Sequence, residues 1–339
     1  MSNHRISLKD MADELGVSIA TVSRALNGKP EVGKELQERV KALAKKWNYR
    51  PNPFAQSLCK EAPKVIGVVV PDLVTHFFSS VLDGIEIEAR AHGYSVISAN
   101  SHEKMADEER AIDNFINLHV VGIIASLAQD TTDYSHFEQL HQMGIPVVFF
   151  GRTCMSDRFS SVTANGDEAA MEATRHLINT GSRRIAFIGG PCHLDAVTRR
   201  KHGYLEALRE SRIPIDRSII ACGSVDYEWA LNATLDMLRR DDRPDAILAF
   251  NDTITFAAFN AIRQMGLSIP GDVALIGFTD DVHACYVTPR MSTIEDQAEI
   301  MGQRACQLLL RHIEGETKVR REIVPQKLVI RESSSKQRS

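Results

Sequence analysis

The 339-residue sequence predicts a small all-α head followed by an α/β body of two doubly wound lobes with parallel sheets. Two observations carry this prediction. In the first fifty residues, apolar positions recur at helical spacing, and glycines divide them into short segments. From residue 64 onward, short apolar runs such as Val65–Val70 alternate with longer amphipathic segments. That alternation indicates parallel strands covered by helices on both faces.

The body elements follow from this alternation in chain order. The strand candidates are residues 65–70, 95–99, 120–125, 147–150, 184–189, 219–221, 246–250 and 274–278. The helices between them are predicted at residues 78–92, 107–118, 168–180, 199–211, 227–240 and 253–265. The two blocks are split near residues 163–166, and a late helix at 297–314 is expected to cross back to the first block.

Composition excludes several classes of protein. A hydrophobic content of 43% and a charged content of 25% are ordinary for a folded chain, which excludes a disordered or fibrous protein. Apolar runs such as Val65–Val70 are far shorter than the ~20 residues of a membrane-spanning helix, and the N-terminus has no secretory signal pattern. Six scattered cysteines without a CxxC pair predict no disulfide framework and no metal site, so a reducing cytoplasm is expected.

The charge is distributed unevenly along the chain. The net formal charge is -4, but residues 1–60 hold 11 Lys or Arg against 6 Asp or Glu, a local balance of +5. The remainder is therefore acidic. A basic head on an acidic body suggests that the head meets a polyanion.

The local sequence pattern of the head predicts a particular fold. Ser7 and Asp10 are spaced as a capping box, Gly16 is placed to end the first helix, and Ser18 is placed to cap the second. A helix-turn-helix needs a small residue, a positive-φ turn and a core anchor at the positions of Ala12, Gly16 and Val22. A third helix follows, which completes a small DNA-binding head.

The second helix of such a head lies in the major groove. Arg24 is expected to read guanine, and Ile19 and Ala20 to touch thymine methyl groups. The candidate DNA-binding residues of the head are Ser7, Ser18, Ile19, Ala20, Thr21, Ser23, Arg24 and Asn27. Helix capping is the alternative role of Ser7 and Ser18. Residues 51–63 begin with two prolines and contain about one helical turn, too short to be stable alone, and are interpreted as a linker that folds on contact.

The head and linker resemble the lactose-repressor/galactose-repressor (LacI/GalR) family of bacterial transcription regulators. The resemblance is carried by ISLKDMADELGVSIATVSRALNG, by Val32 and Arg39-Val40, and by NYRPNPFAQSL. Gly33 departs from the Ser or Thr that usually caps the third helix. The resemblance implies that paired hinge helices enter the minor groove, with Leu58 as an apolar wedge and with Asn52 and Ala55 beside the DNA.

The body shares the resemblance through VVVPDL, HGYSV, GIPVV, RIAFIGG, FND and VALIGF. It implies a periplasmic-binding-protein-like body whose two lobes enclose an effector. The expected domains are a head at 1–50, a hinge at 51–63, a body at 64–333 and a polar tail at 334–339. Within the body, the N-lobe is expected at about 64–163 plus 293–318, and the C-lobe at about 164–290 plus 319–333.

Ligands of open α/β sheets bind beyond the carboxyl ends of the strands. The candidate effector-binding residues are Asp72, Phe77, Phe78, Arg152, Asn165, Arg200, Val225, Asn251, Asp252 and Thr279. The resemblance implies that an aromatic residue stacks on the effector and that Arg200 grips it. An aromatic face with planar polar groups suits a sugar. Thr279 stands where many family members have an aspartate, which argues against transferring any particular sugar to this protein. Leu194 and Val225 stand where the purine-responsive relative has polar or aromatic effector contacts, which argues against a purine.

Several of these residues have an alternative role. One of Phe77 and Phe78 is expected to be buried and the other to face the cleft. Arg152 could pair with Asp157, Asn251 could make a turn, and Asp252 could cap the following helix.

The rival functions lack their motifs. A dehydrogenase needs GxGxxG after its first strand, where this chain reads PDLVTHFF, and neither a P-loop nor a GxSxG elbow occurs. A periplasmic-type sugar-binding protein would need a signal peptide and no helix-turn-helix. The sequence therefore predicts no enzyme and no cofactor. It predicts a cytoplasmic bacterial repressor that binds a pseudo-palindromic DNA operator as a homodimer under the control of a carbohydrate effector. Control by a protein corepressor is the alternative, and the effector's identity and sense stay open.

Overall fold

The computed structural model describes residues 6–49, 64–154 and 157–335. The chain divides into two compact units, residues 1–63 and residues 64–339. The predicted hinge, with Asn52, Ala55 and Leu58, lies outside the described residues. None of the helices in the described ranges has the length and apolarity that a membrane crossing requires.

The head contains three helices, α1 (Leu8–Leu15), α2 (Ile19–Leu26) and α3 (Lys34–Lys46). Ser7 and Asp10 form the capping box at the start of α1, and Gly16 ends that helix in the left-handed conformation with a φ of 65°. The three helices enclose one small core, formed by Met11, Ala12, Val22, Ala25, Val32 and Val40. Ala12, Gly16 and Val22 therefore occupy the roles that the spacing predicted.

The body contains two six-stranded sheets. The first, which we call the N-lobe sheet, has the order β11-β5-β4-β3-β1-β2 and the second, the C-lobe sheet, has the order β12-β10-β9-β8-β6-β7. The strands are β1 (Val65–Val70), β2 (Ser95–Asn100), β3 (Gly122–Ala125), β4 (Val147–Phe150), β5 (Ser160–Ala164), β6 (Ile185–Gly189), β7 (Ile220–Cys222), β8 (Ala246–Ala249), β9 (Ala274–Phe278), β10 (Ser292–Glu295), β11 (Arg321–Val324) and β12 (Lys327–Val329).

Helices cover both faces of each sheet, so each lobe has two apolar clusters separated by its strands. These helices are α4 (His76–Ala91), α5 (Met105–Asn117), α6 (Ser135–Gln142), α7 (Gly166–Asn179), α8 (Asp195–Glu210), α9 (Tyr227–Leu238), α10 (Asp252–Gln264) and α11 (Ala298–Ile313). The sequence analysis did not predict α6.

The late helix α11 returns to the N-lobe, as its sequence position suggested. It packs on α4 so closely that a Cβ atom added to Gly302 would lie 2.0 Å from the carbonyl oxygen of Val81. A Cβ added to Gly84 would lie 2.1 Å from the carbonyl oxygen of Glu299. Only glycine allows the two backbones to approach to this distance.

The expected lobe limits are wrong at the two later crossovers. Strand β10 pairs with β9, so residues 293–295 belong to the C-lobe sheet and not to the N-lobe. Strand β11 pairs with β5, so residues 321–324 belong to the N-lobe sheet and not to the C-lobe. Strand β12 runs antiparallel to β10, so the C-lobe sheet is not wholly parallel. The chain thus passes between the lobes at residues 165, 296–297 and 325–326.

The polar tail also begins later than expected. Ser334 is fully buried, and its hydroxyl lies 2.7 Å from the hydroxyl of Ser292 and 2.9 Å from Nε2 of His176. Residue 334 is therefore part of the C-lobe rather than of a solvated tail.

Candidate DNA-contact face and interlobe cleft

The start of α2 is exposed on the surface of the head. Ser18, Ile19 and Ala20 are exposed, with 48% of the Ile19 side chain accessible, although isoleucine is ordinarily buried. Arg24 is also exposed and makes no side-chain hydrogen bond or ion pair with the described residues. Thr21 and Ser23 are half-buried. An apolar and a cationic side chain are thus both presented on one exposed helix.

Three of the predicted DNA-binding residues also have local bonds in the head. The Ser7 hydroxyl accepts from the amide of Asp10 at 3.3 Å, and the Ser18 hydroxyl accepts from the amide of Thr21 at 3.1 Å. The Asn27 side-chain amide donates to the carbonyl of Ser23 at 2.9 Å. Capping is therefore a real role of Ser7 and Ser18, as the alternative interpretation held.

The third helix begins without a side-chain cap, because Gly33 stands at its N-cap position. A contact that the sequence analysis did not identify holds this region. The side-chain amide of Gln37 donates to the carbonyl of Val32 at 2.9 Å and to that of Lys29 at 3.0 Å. This amide ties the α2–α3 connection to the first turn of α3.

A cavity of about 870 Å³ lies between the two lobes of the body, at the carboxyl ends of their strands. Its volume is in the range that small-molecule sites occupy. Nine of the ten predicted effector-binding residues line it, namely Asp72, Phe77, Phe78, Arg152, Arg200, Val225, Asn251, Asp252 and Thr279. The geometric rule for open α/β sheets therefore located the cavity wall correctly.

Asn165 is the exception and does not line the cavity. Its side-chain amide donates to a carboxylate oxygen of Glu168 at 2.7 Å. Its side-chain oxygen accepts from the backbone amide of Gln326 at 2.7 Å. Asn165 lies at one crossover between the lobes and Gln326 at another, so this side chain joins two crossovers instead of facing a ligand.

Two phenylalanines form an aromatic corner of the cavity on the N-lobe side. Phe78 is buried and Phe77 half-buried, and their rings meet edge to face with centroids 5.1 Å apart. Phe78 also packs against Phe150 at 6.2 Å. The unequal burial agrees with the expectation that only one of the pair belongs to the core.

Arg152 is buried and already has an anionic partner. Its guanidinium donates to both carboxylate oxygens of Glu103, at 2.7 and 3.0 Å, and to the carbonyl of Leu127 at 3.2 Å. The alternative pairing with Asp157 is wrong, because Asp157 pairs with Arg321 instead. A bidentate pair of this kind holds the guanidinium plane in a fixed orientation at the cavity wall.

Arg200 lies deeper in the cavity wall, stacked between aromatic rings. The guanidinium carbon is 4.1 Å from the ring centroid of Phe278 and 4.7 Å from that of Phe250. The group donates to the carbonyl of Phe250 and, at 3.2 Å, to the carboxylate of Asp296. Burial raises the pKa of Asp296, and the charge of Arg200 opposes this rise. Since Asp296 also accepts from Gln326, Arg200 is bonded to one crossover segment and linked through Asp296 to a second.

Asn251 and Asp252, the two polar residues after β8, have different roles. Asn251 caps α10, with its side-chain oxygen accepting from the amide of Ile254 at 3.0 Å. Asp252 does not cap the helix, so that alternative is wrong. Its carboxyl group accepts from the hydroxyl of Thr279 and, at 3.0 Å, from the amide of Asp281. Thr279 has a φ of 91°, an uncommon conformation for a β-branched residue.

Asp252 is a buried carboxyl group with a strongly shifted pKa. Burial raises its pKa to about 8, the nearby carboxylate of Asp281 adds to this, and the bond from Thr279 opposes it. At neutral pH the group is therefore largely protonated. A protonated carboxyl group can donate a hydrogen bond to a ligand oxygen, which an ionised one cannot do.

Two residues that bridge the lobes, Gln129 and Asp195, were not predicted from the sequence. The side-chain oxygen of Gln129 in the N-lobe accepts from the amide of Val225 at 3.1 Å and from the hydroxyl of Ser224 at 3.2 Å in the C-lobe. Asp195 at the start of α8 accepts from the hydroxyl of Thr153 at 3.0 Å and from its amide at 3.3 Å. Burial raises the pKa of Asp195, and the bonds from Thr153 oppose this.

The cavity has further lining residues that were not predicted, among them His76, Tyr227 and Phe256. The predicted helix began at residue 199, whereas α8 begins at Asp195. A predicted helix that began four residues earlier would have placed Asp195 at a strand-to-helix connection, where polar residues often face a ligand.

Comparison with known proteins agrees with both units. Residues 7–52 match the model of bacterial regulatory proteins of the lacI family, and residues 174–334 match the periplasmic binding protein-like domain. The ribose operon repressor of Bacillus subtilis (strain 168) is 34% identical over 304 residues, 90% of each chain. The chain belongs to the lacI family. It is a DNA-binding transcription regulator of this family and not an enzyme.

Other transcription regulators are similar over nearly the whole chain. Catabolite control protein A of Priestia megaterium is 30% identical, covering 92% of this chain and 94% of the relative. The structure of the transcriptional regulator CelR in complex with cellobiose is 28% identical, with a TM-score of 0.75 over 97% of this chain and 100% of that one. The Lac repressor bound to ONPG is 25% identical, with a TM-score of 0.82 over 97% and 100%.

Proposed function

We propose that this protein is a bacterial cytoplasmic repressor that binds a pseudo-palindromic operator as a homodimer under the control of a carbohydrate in the interlobe cavity. The observation that carries the proposal is the cavity itself, which nine of the predicted effector-binding residues line. The exposed face of α2, with Ile19 and Arg24, supplies the groups that a recognition helix needs. Relatives named as a ribose operon repressor and as catabolite control protein A support the regulatory role.

The chemistry of the cavity favours a neutral, polyhydroxylic effector. Its lining contains seven carboxyl groups against three arginines, and two of those arginines are already paired with Glu103 and Asp296. A strongly anionic ligand would meet this excess of negative charge. Phe77 and the protonated Asp252 offer an aromatic face and a hydrogen-bond donor, the combination that a sugar ring with its hydroxyls requires.

The bonds between the lobes suggest how a ligand acts. Gln129 and Asp195 each make a bond across the cleft, and Arg200 is tied through Asp296 to the crossovers. A ligand that enters the cavity competes with or extends these bonds, so it changes the relative free energies of two lobe arrangements. Such a two-state body responds to DNA and ligand reciprocally, because each biases the same equilibrium.

The test is a thermal-shift screen of the full-length protein over pentoses, hexoses, uronates and short oligosaccharides. We expect one class of neutral sugars to raise the unfolding temperature. The double variant R200M/D296N should lose this response, because it removes a cavity cation without leaving a buried carboxylate unpaired. A control variant, R239A, changes an exposed arginine of α9 and should respond as the wild type does.

A second experiment separates the DNA-binding role from the ligand. Selection from random duplexes at moderate ionic strength should enrich a pseudo-palindromic sequence. Enrichment without any sugar response would favour control by a protein corepressor. The similarity to catabolite control protein A supports this alternative. No enrichment with or without sugars would contradict the proposed function.

A further inference from the structure

Two cysteines meet at the carboxyl edge of the C-lobe sheet. Strands β6 and β7 are parallel neighbours in which Gly189 lies opposite Cys222, and the amide of Gly223 donates to the carbonyl of Gly189 at 3.1 Å. Cys192 follows β6 by three residues, and its side chain lies near enough to the Cys222 thiol to contribute to the raised pKa of that thiol. Cys192 is exposed, whereas Cys222 is half-buried, and neither forms a disulfide.

A lysine on the adjoining helix contacts the exposed thiol. The ammonium group of Lys201 on α8 lies 3.4 Å from the sulfur of Cys192. The hydroxyl of Thr198, on the same helix, donates to the carbonyl of Cys192 at 3.0 Å and holds the loop in place. An accessible sulfur beside a cationic side chain is in the kind of surroundings in which reactive cysteines are found.

The second thiol is in a different environment. Burial raises the pKa of Cys222 to about 12, and the neighbouring Cys192 adds to this. Cys222 therefore keeps its proton at neutral pH and lies behind the exposed sulfur. An accessible sulfur beside a cation, with a second cysteine next to it, is the arrangement of an oxidisable pair.

We propose that Cys192 and Cys222 form a thiol pair that peroxides oxidise to a disulfide. The Cys192 thiolate attacks one peroxide oxygen, so that an S–O bond forms, the O–O bond breaks, and the leaving hydroxide takes a proton to become water. The Cys222 sulfur then attacks the sulfenic sulfur, forming the S–S bond. The S–O bond breaks, and the oxygen leaves as water with the Cys222 proton. The two thiols lose two electrons, which the peroxide gains.

The pair lies beside a bridge between the lobes. Ser224 and Val225, which bond to Gln129 across the cleft, follow Cys222 by two and three residues. A groove of about 670 Å³ beside them is lined by Pro191 and Gly223, the immediate neighbours of the two cysteines. A disulfide would fix this wall of the cleft. The effect on effector affinity rests on the proposed function, whereas the site itself does not.

The site is tested by mapping disulfides in the full-length protein after treatment with hydrogen peroxide. Proteolysis without reductant, followed by mass spectrometry, should recover a peptide linked through Cys192 and Cys222. The variants C192S and C222S should each lose it, whereas C285S, which changes another exposed cysteine, should retain it. Recovery of no linked peptide, or of intermolecular links only, would overturn the proposal.

The role of the lysine is tested by the rate of alkylation with iodoacetamide. K201M should slow alkylation of Cys192 several-fold and leave the rate at Cys285 in the same chain unchanged. Equal rates at Cys192 in wild type and K201M would overturn the part assigned to Lys201.

The effect of the disulfide on the cleft can be measured by the fluorescence of Trp229. Trp229 packs against Gly223, next to Cys222, because a Cβ atom on Gly223 would lie 2.4 Å from its ring. In a W47F background, peroxide should change the Trp229 fluorescence and the affinity for any sugar found in the screen, and neither should change with C222S present. A mapped disulfide without either effect would refute the link to the cleft. Failure of the sugar screen alone would leave the mapping result intact.

Discussion

At the scale of single residues, Arg200 has a structural role that its position in the sequence did not reveal. The sequence placed it after β6 as a group that grips an effector. In the structure it lies between Phe250 and Phe278 and neutralises Asp296. Asp296 comes from a segment 96 residues further along the chain, so no local pattern could have indicated the pairing. Any effector that engages Arg200 therefore also acts on the crossover that carries Asp296.

Asp252 predicts a pH dependence of stability. Its pKa is raised from 3.8 in an ordinary aspartate to about 8, so the folded protein retains a proton that the unfolded chain has released within this window. The stabilisation is complete below pH 3.8 and is lost as the pH rises through about 8. The loss is at most about 1.4 kcal/mol per pH unit.

Urea denaturation of D252N at several pH values measures this contribution. The free energy of unfolding of D252N relative to wild type should rise between pH 5 and pH 8, since the variant carries no titrating group at this position. D236N, which changes an exposed aspartate of α9, serves as the control and should show no such trend. Parallel pH profiles for D252N and wild type would contradict the assigned protonation.

Arg24 predicts the specificity of the head. R24A should reduce the affinity for a selected operator by about 1–3 kcal/mol and relax the preference at one base pair of each half-site. R39A removes the same charge from an exposed position on α3. It should weaken binding to all sequences alike, or not at all. Gel-shift titrations against operator and single-base variants distinguish the two, and an unaltered preference in R24A would remove Arg24 from the interface.

At the scale of elements, sequence periodicity predicted eight of the twelve strands and seven of the eight helices that the structure describes in the body, but not every sheet partner. The apolar runs of β1, β4 and β9 mark buried strands, because parallel strands covered on both faces must be apolar. Strands β10 and β11 are four residues long and rich in polar side chains. Their identity as strands, and the sheet that each joins, depend on partners more than a hundred residues apart in the case of β11 and β5. Local propensity carries no such information.

The candidate site was also predicted only in part. Nine of the ten predicted positions after the strands line the cavity, because the rule that placed them follows from the topology of parallel sheets. The bonds that engage those side chains were not predictable, since Glu103 and Gln129 come from other loops and reveal their role only when the lobes are assembled. Asn165 shows the limit of the rule, because a residue at a crossover also follows a strand without facing the cavity.

The contact between α4 and α11 predicts a stability effect at the element scale. G302A should destabilise the body by about 1–3 kcal/mol or more, because its Cβ would meet the backbone of α4 and the helices would have to separate. Q303A, at the neighbouring position of α11, should change stability by about 0.5 kcal/mol or less. Chemical denaturation measures both, and a stable G302A would contradict the close approach of the two backbones.

At the scale of the whole molecule, the chain combines a basic head with an acidic two-lobed body. The two units are compact in themselves, and the cavity lies entirely within the second. Regulation therefore requires that a change in the body be transmitted to the head. The three chain crossovers and the bonds of Gln129, Asp195 and Arg200 are the parts of the body that a change in lobe arrangement must alter. The coupling is a free energy shared by both ligands, and it acts in both directions.

The most direct test of this account is the affinity of a cavity-binding sugar measured with and without saturating operator DNA. Fluorescence anisotropy gives the operator Kd with and without the sugar, and calorimetry gives the sugar Kd with and without the operator. We predict that the two ratios are equal and differ from one by at least about five-fold. A sugar that binds in the cavity with the same Kd in the presence and absence of operator would contradict control of the head by the cleft.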